Sequence, residues 1–167
     1  MKGKHNIVFL LTMFVLCMLS CSVKQDSDVL SKEFGGEVWG RFDYLTASYY
    51  VVSAPMTADL VMQIAVSDVY PNVYQYHNDD GALTIVLTVN APDGSRRARE
   101  FVFRLKDKDG NFKSEKVDGY YKYELPLINE MSFNEIGEYE FKVENKYSKD
   151  PLCGIKYLNI KCVQIKK

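Results

Sequence analysis

The sequence predicts an all-β protein that folds as a single antiparallel β-sandwich of about eight strands. Three observations lead to this fold class. Apolar and polar residues alternate along several segments, as in strands with one buried face. No window of the sequence keeps a helical period for three turns. Turn-forming residues recur at a spacing of roughly ten to twenty residues, which favours two packed antiparallel sheets over the buried parallel strands of an α/β fold. Jelly-roll and immunoglobulin-like topologies both fit this pattern.

The predicted strands follow one another as rows of alternating apolar residues. Segments 47–54 and 158–165 are rich in β-forming residues. Between them the rows are, in chain order, Leu60, Met62, Ile64 and Val66; Leu83, Ile85, Leu87 and Val89; Phe101, Phe103 and Leu105; Tyr121, Tyr123, Leu125 and Leu127; and Tyr139, Phe141 and Val143. Asp, Asn and Gly at 78–81, 92–94, 107–111 and 134–137 supply the chemistry of tight turns. One face of each strand therefore points toward a shared core.

The N-terminus has the layout of a cleaved signal peptide. Two lysines precede an apolar run over residues 7–19, and small Ser20 stands directly before Cys21. This run is shorter than the about 20 apolar residues that a membrane-spanning helix needs. The tetrapeptide Met18-Leu19-Ser20-Cys21 resembles a bacterial lipobox. We therefore expect acylation of Cys21, which would attach the protein to a membrane.

The predicted organisation has three parts. Residues 1–20 form the lipoprotein signal peptide, residues 21–36 a lipidated flexible tether without any period, and residues 37–167 the sandwich domain. Ser22 after the lipidated cysteine favours the outer membrane, by resemblance to other lipoproteins. We therefore expect a lipid-anchored protein of the outer membrane.

The charge of the chain argues against nucleic acid as a partner. The formal net charge is −1, and removal of the signal peptide takes away two lysines and no acid, so the mature chain carries −3. A charge this mild does not steer a strongly charged partner. Arg96, Arg97 and Arg99 follow a turn and are interpreted as a solvated strand end.

The sequence offers no cofactor or metal site. Besides His5 of the signal peptide, the single histidine is His77, interpreted as a polar loop tip. Cys153 and Cys162 lie nine residues apart, roughly 30 Å in extended chain, whereas a disulfide needs Cα atoms within about 7 Å. Only a sharp chain reversal would allow that bond. Alternation favours Cys162 as a small buried apolar residue.

Two acidic segments were also considered as sites. Asp107-Lys108-Asp109-Gly110-Asn111 has its glycine too early for a calcium loop and is predicted to be a hairpin turn. Glu138, Glu140 and Glu144 share a strand face with Lys142 nearby, which indicates a solvated face rather than a glycosidase pair. No catalytic residue is predicted, and we expect a non-enzymatic protein.

Aromatic residues outside the alternating rows are the candidates for a binding face. Tyr121, Tyr123, Tyr139 and Phe141 fall on the apolar faces of their strands. The candidates without such a position are Trp39, Tyr70, Tyr74, Tyr76 and Tyr120. If exposed in a flat row, such rings would suit stacking against sugars.

An ordered series of short motifs resembles the gliding-motility lipoprotein H (GldH) family of the Bacteroidetes. The motifs are Cys21, Trp39, Tyr70-Pro71, Leu83-Thr84-Ile85-Val86, Pro92-Asp93-Gly94, Leu105-Lys106-Asp107-Lys108-Asp109-Gly110-Asn111, Tyr120-Tyr121-Lys122-Tyr123, Gly137-Glu138-Tyr139 and Leu152-Cys153-Gly154-Ile155. No single motif is specific, but their order is. The stretch 82–162 carries most of the resemblance.

The resemblance implies an outer-membrane lipoprotein with no catalytic residues. In gliding relatives such a protein is needed for surface motility and for the type IX secretion system, so its expected partners are other envelope proteins. The alternative function is a surface glycan-binding lipoprotein. Exposure or burial of Trp39 and the tyrosines separates the two.

Overall fold

The computed structural model of the protein describes residues 26–71 and 82–165, and β-strands dominate them. The strands are β1 (Asp26–Glu33), β2 (Val38–Trp39), β3 (Leu45–Val51), β4 (Met56–Val66), β5 (Ala82–Asn90), β6 (Arg96–Arg104), β7 (Lys116–Val117), β8 (Tyr120–Phe133), β9 (Gly137–Asn145), β10 (Leu152–Cys153) and β11 (Ile155–Gln164). A 3₁₀ turn, Gly35–Glu37, lies between β1 and β2. The predicted all-β class is confirmed. The eleven strands of the described residues exceed the predicted eight, because β1 and the two-residue strands β2, β7 and β10 were not predicted.

The eight long strands form two antiparallel sheets. One sheet has the order β1-β11-β4-β8-β7, the other has the order β3-β9-β5-β6, and β2 pairs with β10 in a separate ribbon. Along the chain, successive long strands alternate between the two sheets, except at the β5–β6 hairpin. This connectivity is that of a jelly roll, which decides between the two topologies that the sequence left open.

The core lies between the sheets and uses the alternating rows. Leu60, Met62, Ile64 and Val66 of β4 are fully buried, as are the inward residues of β5 and β9. Burial weakens toward one edge of the sandwich, where β6 ends one sheet and β8, with the two-residue β7 beside it, ends the other. There Phe103 is only partly buried.

The flexible tether predicted for residues 21–36 is wrong from Asp26 onward. Residues 26–33 form β1, which pairs antiparallel with β11 at the edge of its sheet. Val29 and Leu30 are buried, and the Ser31 hydroxyl donates a 2.8 Å hydrogen bond to Asn159 Oδ1. An edge strand needs a partner on one side only, and β11 provides it. Cys21 itself lies outside the described residues.

The two cysteines of the described sandwich are free thiols. Cys153 is partly exposed on β10, and Cys162 is buried on β11. Burial raises the pKa of the Cys162 thiol. Cys162 is therefore the small core residue that the alternation indicated.

The loops gather at two ends of the sandwich. One end contains the start of β1 and the connections 52–55, 91–95 and 134–136. These connections lie close together, because Val51 pairs with Gly137, and a Cβ on Gly137 would lie 2.9 Å from Pro92 Cγ. We call this the anchor end, because the chain enters it from Cys21. The opposite end, here called the far end, contains 34–44, 67–71, 105–119 and 146–154.

Candidate functional site

Trp39, a predicted binding-face residue, is buried at the far end. Its side chain has 0% exposure. Its indole Nε1 donates a 2.8 Å hydrogen bond to the Asp43 carbonyl, and its ring centroid lies 5.4 Å from that of Phe34. In the two-stranded ribbon Trp39 pairs with Leu152 of β10, which is also fully buried. Its burial removes Trp39 from the candidate binding face.

Tyr70 is buried as well, which removes it from the candidate binding face. Its hydroxyl has no hydrogen-bond partner among the described residues, and burial raises the pKa of Tyr70 far above its ordinary value. The Tyr70 carbonyl accepts a 2.8 Å hydrogen bond from Lys106 Nζ. Gly154 packs directly against the Tyr70 backbone, where a Cβ would lie 2.5 Å from Tyr70 N. Tyr70 thus belongs to the packing of the far end.

Tyr120 is partly exposed, but its hydroxyl is already used. It donates a 2.8 Å hydrogen bond to Glu37 Oε1, and Ser67 Oγ donates a 2.6 Å bond to Glu37 Oε2. These two bonds lower the pKa of Glu37, while the carboxylate raises the pKa of Tyr120. Tyr74 and Tyr76 lie outside the described residues, as does His77. The described members of the predicted face therefore form no exposed aromatic row.

Lys106 is a buried cation beside these residues. Its Nζ lies 4.2 Å from the centroid of the Phe112 ring, which stacks on Tyr121 at 3.7 Å. Burial lowers the pKa of Lys106, against the opposing charge of Asp68. Lys106 stabilises the far end by holding the Tyr70 carbonyl under an aromatic cover.

The loop after Lys106 is the predicted hairpin turn. Asp107 Oδ1 accepts 2.9 Å hydrogen bonds from the backbone N–H groups of both Asp109 and Asn111. These bonds lower the pKa of Asp107. The carboxylate therefore closes its own turn, which agrees with the prediction of a turn rather than a calcium loop.

The acidic face of β9 is a solvated, paired surface. Glu144 contacts Lys142 at 2.9 Å and Lys146 at 2.8 Å, and both lysines lower its pKa. Glu140 accepts a 2.8 Å hydrogen bond from Asn90 Nδ2. Among the described residues, no group of three His, Cys, Asp or Glu side chains converges as metal ligands.

A cleft between the two sheets opens along the edge formed by β6 and β8. Leu87, Val89 and Met131 form its buried floor, and exposed Arg97 and Arg99 line its rim. The main chamber has a volume of about 400 Å³. A smaller chamber of about 150 Å³ extends toward the anchor end and shares Val89, Arg97 and Met131 with the first. We call these two chambers the edge cleft.

The edge cleft is what the sequence analysis missed. Arg99 pairs with Leu87 and Arg97 with Val89, so both arginines lie on the inward side of β6. Interpreting them only as a solvated strand end was therefore incomplete. The signal was present in the sequence, because Arg97, Arg99 and Phe101 have the same parity, and residues two apart share a face.

The rim of the edge cleft carries available positive charge. Neither Arg97 nor Arg99 forms an ion pair within the described part of the chain. The Arg99 guanidinium lies 5.1 Å from the centroid of the Phe101 ring. Three carboxylates also line the cleft. Glu130 is in the main chamber, at a positive φ of 52° beside register shifts of the β4–β8 pair, and Asp93 and Glu135 are in the smaller chamber. Two guanidiniums above an apolar floor suit a ligand with a carboxylate and an apolar side chain.

Both strands that border the edge cleft have free edges. β6 pairs only with β5, and β7 covers β8 only at Tyr120 and Tyr121. Beyond that point the outer edge of β8 has no neighbouring strand among the described residues. Unpaired N–H and C=O groups at such edges can accept an added strand.

Comparison with solved structures finds several likenesses of low identity. A CBM36 carbohydrate-binding module in complex with calcium and xylotriose is 12% identical with a TM-score of 0.40, over 83% of this chain and 93% of that one. Dimeric latent PorU from Porphyromonas gingivalis is 8% identical with a TM-score of 0.40, over 84% of this chain and 12% of that one. A family 35 carbohydrate-binding module from Clostridium thermocellum is 11% identical with a TM-score of 0.34, over 81% and 97%. These values carry no argument about ligands. No curated protein matches the chain.

In the described part of the chain, no helix has the length and apolar character to cross a bilayer.

Comparison with protein families gives a long match. The sequence pattern of the GldH lipoprotein family matches residues 31–161, which include most of both sheets and all residues of the edge cleft. This range contains every motif of the sequence-based resemblance from Trp39 to Gly154. The chain therefore belongs to the GldH lipoprotein family.

Proposed function

We propose that this chain is a non-enzymatic, lipid-anchored outer-membrane protein that serves gliding motility and type IX secretion through contacts with other envelope proteins. The observation that supports this proposal is the GldH lipoprotein match over residues 31–161. The anchor is the acyl group on Cys21, the cysteine of the lipobox-like tetrapeptide. Several acyl chains, at about 0.8 kcal/mol per buried methylene, make such an attachment effectively permanent.

The main chamber of the edge cleft is the proposed contact surface, and its occupant is an extended, acidic segment of a partner protein. A carboxylate of that segment would pair with Arg97 or Arg99, whose planar guanidiniums match carboxylate geometry. Apolar side chains of the partner segment would pack against Leu87 and Met131 on the floor of the cleft. Its backbone would add to a free strand edge. Charge complementarity favours an acidic segment, because two guanidiniums and one carboxylate line the main chamber.

The glycan-binding alternative has lost its main support. It required exposed aromatic platforms, and Trp39 and Tyr70 are both buried. The hydroxyl of Tyr120 is bound to Glu37. No observation in the described residues favours a sugar over a peptide.

Complementation of a deletion strain tests the proposal. We expect Cys21→Ser to lose fatty-acid labelling and function, and the double variant Arg97→Glu/Arg99→Glu to keep its anchor but lose secretion or motility and co-purifying envelope proteins. Arg96→Glu, compared with Arg97→Glu alone, is the matched control, because it makes the same charge change on the opposite face of β6. Fatty-acid labelling that persists in Cys21→Ser would contradict the anchor. A strain in which only growth on complex glycans suffers would support the glycan-binding alternative instead.

A further inference from the structure

We propose that the anchor end of the sandwich, with Val52 and Ile136 at its tip, rests on the surface of the lipid bilayer. This inference depends on the proposed attachment of lipid at Cys21. It says which part of the domain meets the membrane and which part faces away.

The first argument is the length of the chain between the lipid and the fold. Only five peptide steps separate Cys21 from Asp26, where β1 begins. Because a residue extends the chain by at most about 3.6 Å, these steps reach no more than about 18 Å in any conformation. The start of β1 is therefore held within about 18 Å of the lipid surface.

The second argument compares this reach with the length of the sandwich. Asp26 pairs with Val163 at one end of β11, and Ile155 begins β11 at the far end. Eight residue steps along this strand span about 26 Å. If the strands stood upright with the far end on the bilayer, Asp26 would stand about 26 Å above it, beyond the reach of the tether. An upright domain with its far end on the membrane is therefore excluded.

The third argument is the chemistry of the anchor end. Val52 is 79% exposed and Ile136 is 59% exposed. The two flank the paired residues Val51 and Gly137, so they lie side by side at the tips of adjacent connections. Apolar side chains at loop tips enter the interface of a bilayer favourably, because that contact removes them from water.

Val52 also lies close to the point where the tether joins the fold. The Ser27 hydroxyl, one residue into β1, donates a 3.1 Å hydrogen bond to the Tyr49 hydroxyl, and β3 continues from Tyr49 to Val51 in the direction of the anchor end. The apolar tip and the lipid thus meet the bilayer from the same side. Exposed Phe42, at 74%, is at the far end and serves as the comparison.

The experiment uses residues 21–167 with the Cys21 thiol coupled to maleimide-phosphatidylethanolamine in phosphatidylethanolamine/phosphatidylglycerol vesicles. Cys153→Ser in all samples prevents coupling there, and Cys162 is buried. Val52→Trp, Ile136→Trp and Phe42→Trp are compared, with the signal of buried Trp39 subtracted. A nitroxide on the lipid headgroup quenches nearby indoles.

We expect quenching of Val52→Trp and Ile136→Trp to be at least about twofold stronger than quenching of Phe42→Trp. Equal quenching at the two ends, stronger quenching of Phe42→Trp, or none at Val52 and Ile136 would overturn the inference. The lipid is attached chemically, so this result does not depend on acylation in the cell. Failure of the proposed anchor would appear instead in the fatty-acid labelling of Cys21.

Discussion

Gly154 holds a position that no other residue should occupy without cost. Its φ is +80°, and a Cβ there would lie 2.5 Å from Tyr70 N and 2.8 Å from Tyr70 Cα. The peptide is fixed on both sides: Gly154 N–H donates to the Glu37 carbonyl at 2.8 Å, and its carbonyl accepts from Ser67 N–H at 2.9 Å. Gly154→Ala must therefore strain the backbone and also push against Tyr70.

Two other glycines separate these two effects. Gly119 has a similar φ of +85° with nothing within 4 Å of a Cβ, so Gly119→Ala should cost only the left-handed conformation, about 1–2 kcal/mol. Gly154→Ala adds overpacking against backbone, about 1–3 kcal/mol, for a total of about 2–5 kcal/mol. Gly35 has no positive φ, and a Cβ there would have no atom within 4 Å. The free energy of unfolding of Gly35→Ala should therefore stay within about 0.5 kcal/mol of the wild-type value.

Urea unfolding of residues 22–167, followed by Trp39 fluorescence, measures these differences. With a slope of about 1–3 kcal/mol per molar urea, a loss of 3 kcal/mol lowers the midpoint by at least about 1 M. We expect the order of stability Gly35→Ala, then Gly119→Ala, then Gly154→Ala. If Gly154→Ala unfolds at the same urea concentration as Gly119→Ala, the close approach of Tyr70 does not constrain this glycine, and the reasoning fails.

Three further predictions concern the core, the tryptophan and the charged face of β9. Buried Trp39 should emit at short wavelength and resist acrylamide until the protein unfolds; strong quenching of the native protein would contradict its burial. Phe141→Ala, a fully buried change, should cost about 3–5 kcal/mol in urea unfolding, partly buried Phe103→Ala should cost less, and exposed Glu140→Ala should stay within about 0.5 kcal/mol. Lys146 and Lys142 lower the pKa of Glu144. The ionised Glu144 therefore stabilises the fold at any pH above the ordinary carboxyl pKa of about 4.3. This contribution is lost as the pH falls through the lower pKa of the folded state. The urea midpoint of Glu144→Gln should therefore fall less between pH 6 and pH 3 than that of the wild type; an identical fall would refute the role of this pair.

Alternation predicted the strands that have one face in the core along their whole length. In β4 and β9 each second residue is buried, so apolar and polar residues alternate in the sequence. β1 shows no such alternation. Only its adjacent residues Val29 and Leu30 are buried, next to a register shift between Asp28 and Leu30. The bulge breaks the period, and a tether was predicted where an edge strand forms.

Burial at the far end could not be predicted from local pattern for a different reason. Trp39 pairs with Leu152, and Asn145 Nδ2 donates a 3.1 Å hydrogen bond to the Trp39 carbonyl. Both contacts come from residues more than a hundred positions away along the chain. A single sequence shows the aromatic residue but not the ribbon that it joins. The edge cleft differs, because the parity of Arg97 and Phe101 did place them on one side of β6.

The edge cleft and the anchor end constrain the partner together. The smaller chamber of the cleft is lined by Asp93, Ser95, Asn134 and Glu135, all from connections at the anchor end. If that end rests on the bilayer, an occupant of the cleft lies within about 30 Å of the lipid, roughly the length of one of the longer strands. A partner segment that emerges from a membrane-embedded protein can reach this distance with about nine extended residues. In that orientation the far end, where Phe42 is exposed, would face away from the bilayer, toward proteins deeper in the aqueous compartment.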